Sequence, residues 1–113
     1  MLTMTVIAQV KPEKRQEFLH AMNSLYNKRE EEKGLKKSML YQEMNDLNSF
    51  RLIVELETRT DLEAHLRAEK FRVLLGALEI LCTKSQIRYS HLDEGESGVQ
   101  EPSPLGALPN KAS

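Results

Sequence analysis

The chain has 113 residues, with 16 basic and 17 acidic side chains and a hydrophobic share of 40%. That length allows one domain and little more, and the near-neutral balance lacks the basic excess typical of nucleic-acid and membrane surfaces. No apolar run is long enough to span a bilayer. The single cysteine, Cys82, has no internal partner, which fits a reducing cytoplasm.

At the N-terminus Leu2, Met4, Val6, Ala8 and Val10 alternate with Thr3, Thr5, Ile7 and Gln9, the pattern of a strand with one buried face. No charged n-region precedes it, so the segment does not read as a signal peptide. Pro12 suits the first turn of a helix, where its missing N–H would be unpaired anyway. Phe18, Leu19, Met22, Leu25 and Tyr26 then recur at helical spacing between about residues 13 and 33. Gly34 is a natural C-terminal stop, and the charged run at 28–33 reads as the solvated end of this helix.

Residues 38–45 have strand character, and the turn formers at 46–49 lead into Phe50, Leu52, Val54 and Leu56, so a hairpin is expected. At Thr60 the period changes from two to that of a helix. Thr60 and Glu63 fit a capping box, and the helical pattern runs to about Cys82, with weak points at 68–70 and Gly76. A last, less apolar strand is expected near 84–92, at an edge or an interface. From residue 93 the composition shifts: the segment 93–113 holds three of the four prolines and three of the five glycines. It reads as a tail without a core of its own, following a domain at 1–92.

The order β-α-β-β-α-β predicts an α+β, ferredoxin-like fold, a four-stranded antiparallel sheet with its helices on one face. Ile7, Met39, Tyr41, Ile53, Ile87 and Tyr89 would then point to the uncovered face. Exposure of so many apolar groups is unusual in a monomer, so a homodimer packed through the sheet faces is expected.

His65, on or beside the apolar stripe of the second helix, is the sharpest candidate for chemistry. Its ordinary pKa lies near neutrality, so it can pass a proton or donate a hydrogen bond; packed against the sheet, it would be architecture. His20 and His91 show no metal-ligand spacing with it or with Cys82, so no metal is expected. Cys82, among apolar residues near a helix end, reads as a small core residue. Tyr26, Tyr41 and Tyr89 can each supply a hydroxyl to a pocket. There is no phosphate-binding glycine loop, no Gly-x-Ser-x-Gly and no Cys-x-x-Cys. RNA binding on the open sheet is disfavoured, since Tyr41 and Tyr89 lie among Glu43, Glu55 and Glu57 rather than in a basic surround.

Three stretches resemble the antibiotic biosynthesis monooxygenase domain family over about residues 2–92. They are the first strand followed by Lys11, Pro12 and Lys14; Lys33-Gly34; and the run from Phe50 to Phe71 with Glu57-Thr58, Asp61-Leu62-Glu63-Ala64-His65-Leu66 and Phe71. The resemblance implies a dimeric α+β barrel, and in some members oxidation of quinols or polyketide aromatics without metal or flavin. Leu56 stands where the family usually has tryptophan, and Val54 where an acidic residue is common. Leu52 and Leu62 replace the Asn and Tyr of the polyketide-oxidising branch. The haem-degrading branch has an Asn in the first strand, a Trp at the position of His65 and a His where this chain has Leu75. His65 is the polar position that remains, and it belongs to the general family pattern. The resemblance thus implies His65 as the catalytic group, with Tyr26, Phe50, Leu52, Leu56 and Phe71 around a small hydrophobic or aromatic ligand. It further implies either cofactor-independent oxygenation or a non-catalytic binding dimer on the same fold.

Overall fold

The computed structural model describes residues 1–26 and 34–91. Strand β1, Leu2–Val10, buries every second residue, as its alternation requires. A single 3-10 turn at Pro12–Lys14 leads into α1, Arg15–Tyr26, which buries Phe18, Met22 and Tyr26 at four-residue intervals. Strands β2, Leu35–Glu43, and β3, Asp46–Leu56, form a hairpin. Two helices follow, α2, Arg59–Arg67, and α3, Glu69–Leu81, before β4, Cys82–His91. The four strands make one antiparallel sheet in the order β2-β3-β1-β4, the ferredoxin-like arrangement. One core lies between the helices and one sheet face; it joins Met4, Val6, Leu52, Val54 and Leu56 to Phe18, Met22, Leu62, Phe71 and Leu74.

The periodic run after Leu56 divides at Ala68, whose extended backbone ends α2 and starts α3, while Gly76 stays helical. The expected helix end at 28–33 and the tail at 93–113 lie outside the described residues.

Three expectations are corrected. The hairpin turn falls at Met44 and Asn45, and the turn-forming residues 46–49 begin β3. There the Asp46 carboxylate accepts from the Asn48 amide, and the register shifts beside Glu43, so their turn chemistry is spent on an irregular strand start. The helix cap lies two residues early. Thr58, not Thr60, is the N-cap: its Oγ1 accepts from the Asp61 amide at 3.1 Å and donates to the Asp61 carboxylate at 2.8 Å. The Thr-x-x-acid pattern occurs in both registers, and the strand's end at Leu56 leaves room only for the earlier one. Finally, Ile87 and Tyr89 face the core, opposite Val6 and Met4, while Gln86 and Arg88 take the outer face. The register shift between Gln9 and Val10 lets Cys82 and Ile87, five apart, both be buried. Ile7, Met39, Tyr41 and Ile53 remain as the apolar groups of the outer phase.

Gly34 fixes the entry to β2. Its φ is +81°, the left-handed region that favours glycine. Its carbonyl accepts from the Glu57 amide at 2.9 Å, and a Cβ there would overlap the Asp61 carboxylate. The β2 entry and the start of α2 are therefore in direct contact.

Candidate functional site

A partly open cavity of about 370 Å³ lies where α1 crosses β2 and β3. Its walls are Leu19, Met22, Asn23 and Tyr26 from α1, Ser38, Met39 and Leu40 from β2, and Leu52 from β3. None of these side chains is charged. As the sheet's edge strand, β2 leaves Leu40 36% exposed on the helix side.

Tyr26 joins this cavity to a buried polar contact. Its Oη is hydrogen bonded to His65 Nε2 at 3.0 Å, and His65 is wholly buried. The His65 ring also packs against Phe71, with 5.9 Å between centroids. Ser38 Oγ donates to the Tyr26 carbonyl at 2.8 Å, and Lys70 Nζ lies 4.9 Å from the centroid of the Tyr26 ring. The last turn of α1 is thus engaged from β2, α2 and α3 together.

The structure brings Tyr26, His65 and Phe71 together and sets Leu52 in the same cavity wall as Tyr26. His65 and Phe71 stand behind Tyr26 rather than on the cavity wall. Phe50 and Leu56 are not brought to the cavity. Six residues along one strand separate them by about 20 Å, and Phe50 stacks against Phe18 at 4.9 Å while Leu56 is sealed beside Leu2. Phe50 instead borders a second hollow, of about 340 Å³, with Ile7, Tyr41 and Arg51. The β2 wall was missed by sequence reasoning, because Ser38, Met39 and Leu40 carry no strict alternation.

Among the described residues no group of three His, Cys, Asp or Glu side chains is placed to hold a metal ion. Burial pushes the Cys82 thiol up to about 11, against a smaller opposing effect of Lys11, which favours the protonated thiol over the nucleophilic thiolate at neutral pH. Burial also pushes Tyr89 up to about 12, and its hydroxyl has no hydrogen-bond partner among the described residues.

These features define the class: a ferredoxin-like α+β protein with an uncharged cavity backed by a Tyr-His pair. Residues 1–75 match the family profile of antibiotic biosynthesis monooxygenases, and the chain belongs to that family. No functionally curated protein matches it in sequence. Among solved structures it is similar to a conserved protein from Methanosarcina mazei Go1, with TM-score 0.74 and 26% identity over 81% of this chain and 92% of that one. It is also similar to an antibiotic biosynthesis monooxygenase, with TM-score 0.72 and 21% identity over 82% and 99% of the two chains. A protein from Pseudomonas aeruginosa superposes with TM-score 0.70 and 21% identity over 81% and 93%. At identities this low, the last two likenesses speak for the fold alone. No helix among the described residues is long and apolar enough to cross a membrane.

Proposed function

We propose that the protein is a cofactor-independent monooxygenase acting on a quinol-like or aromatic small molecule held in the Tyr26 cavity. The observation that carries this reading is that Tyr26 both borders the cavity and bonds the buried His65. With its proton on Nε2, His65 donates to Tyr26 Oη and leaves the Tyr26 O–H to donate to a substrate oxyanion. A preorganised donor in a partly dry site stabilises the phenolate from which oxidation proceeds. The phenolate gives one electron to dioxygen. The resulting superoxide and phenoxyl radical combine to form a ring C–O bond, the peroxide takes back from water the proton that the phenol released, and the hydroperoxide loses water, breaking its C–H and O–O bonds, to give the quinone. One dioxygen atom enters the product, the other leaves as water, and the ring carbon is the centre oxidised. His65 acts through Tyr26 in this scheme. A cavity of about 150 Å³ holds benzene, so a site of about 370 Å³ fits roughly two rings.

The test is oxygen uptake with quinols and phenols of one to three rings. Tyr26→Phe is expected to lower turnover by about a hundredfold, the usual effect of losing one oxyanion donor. Unchanged turnover in that variant would refute the role given to Tyr26. One observation favours a second reading, a non-catalytic binding dimer: His65, the titratable ring of the pair, is wholly shielded from solvent. Tight binding of an aromatic ligand, with no oxygen uptake on any quinol or phenol, would establish it.

The working unit in this proposal is a homodimer packed through the outer sheet faces. Ile7, Met39 and Ile53 are half-buried there in the single chain, and Tyr41 is exposed. Sedimentation at micromolar concentration decides it, and a species of 13.0 kDa would exclude the dimer.

A further inference from the structure

Lys70 lies on α3 beside the Tyr26 ring. It is the second residue of α3, in the first turn, where the helix dipole disfavours a cation. Its ammonium lies over the Tyr26 ring, 4.9 Å from the centroid, against the negative face of the π system. His65 and Lys70 are five positions apart and on one continuous helix would point about 140° away from each other. The extended backbone of Ala68, with φ −77° and ψ 156°, breaks that helix and lets both side chains meet the same tyrosine. Tyr26 therefore has His65 at its hydroxyl from α2 and Lys70 over its ring from α3. From β2 it has the neutral Ser38, on its backbone carbonyl.

Resting on the oxyanion role given above to Tyr26, we propose that Lys70 is a positioning residue of the site. It reaches the substrate only through Tyr26. Its charge holds the tilt of the ring toward His65 and favours negative charge on the phenol oxygen. Tyr26 is thereby a stronger hydrogen-bond donor to a bound phenolate than an unassisted tyrosine. A cation at the end of a flexible four-carbon stem does this without entering the cavity, whose walls stay uncharged.

The experiment follows the tyrosine Cζ resonances of the full chain, labelled with carbon-13, against pH; Tyr26 is assigned by the signal lost in Tyr26→Phe. Lys70→Met is expected to raise the Tyr26 titration midpoint by about half a pH unit or more, and Lys70→Arg to leave it near the wild-type value. The pH profile of kcat, with a phenol that the wild type oxidises, is expected to move up by the same amount in Lys70→Met and not in Lys70→Arg. A Tyr26 midpoint unmoved by Lys70→Met overturns the inference. So does an equal shift in Lys70→Arg, which keeps the charge and would mark Lys70 as packing. The titration needs no turnover. Absence of oxygen uptake would therefore remove the oxygenase reading, while the carbon-13 midpoint would still decide the part played by Lys70.

Discussion

Replacing Gly34 by alanine probes the contact between the β2 wall of the cavity and the helix that carries His65. Gly34 opens β2, which supplies Ser38, Met39 and Leu40, and it touches Asp61 in the first turn of α2, which carries His65. Two costs follow from the geometry. Alanine at φ +81° loses about 1–2 kcal/mol to left-handed strain. Its Cβ also displaces the Asp61 carboxylate from the Thr58 hydroxyl, loosening a helix cap for about a further 1 kcal/mol. Gly34→Ala should therefore lower unfolding free energy by about 2–3 kcal/mol in urea titrations. Asp61→Ala alone should cost about 1 kcal/mol, since the Asp61 backbone amide keeps its bond to Thr58. In the double variant the overlap has gone and only the strain and one lost bond remain. The two costs should then fall short of additivity by about 1 kcal/mol. Additivity within about 0.5 kcal/mol would mean that Gly34 and Asp61 do not interact, and the account of this corner would be wrong.

His65→Ala should destabilise the fold by about 2–4 kcal/mol, since it leaves a core cavity and removes the partner of the Tyr26 hydroxyl. A loss below about 1 kcal/mol by thermal or urea melting would show that the ring is not part of the packed core. Ile53→Asp should split the proposed dimer or unfold it, because an unpaired buried charge costs several kcal/mol; a dimer of unchanged affinity would exclude this face. The Cys82 thiol is raised from 9.0 to about 11 in the folded chain. Its contribution is full below pH 9 and is lost as pH rises toward 11, by at most about 2–3 kcal/mol. Cys82→Ala should flatten that part of the urea midpoint against pH, and an unchanged slope would refute the assignment.

The central strands were legible because a strict period of two leaves no choice of face. β1, and β3 from Phe50 onward, put an apolar residue at every second position, and every one of those is buried. β4 was not legible in this way. It carries only Ile87 and Tyr89 as large apolar groups after Cys82, and an irregular step opposite Val10 decides which way they point. That information resides in the pairing with β1, not in the strand. The cap was ambiguous for a related reason, since Thr58 and Thr60 head the same local pattern and only the end of β3 separates them.

The site divides along the same line. His65 stood out as a polar group on an apolar helix, and Tyr26 as the end of an apolar stripe, but they are 39 positions apart and nothing local joins them. Their contact depends on α1 running far enough across the sheet for its last turn to reach β2 and α2 at once. The same placement explains why only some of the inward residues of β3 border the cavity. A strand offers its inward side chains in a line, so Phe50, Leu52 and Leu56 share a face without sharing a neighbour. A helix crossing that line can open a cavity at one place only, and here it does so beside Leu52. Tyr26 is the side chain common to the cavity, the buried histidine and the lysine of α3. In the proposed scheme, the chemistry of His65 and Lys70 therefore passes through its ring.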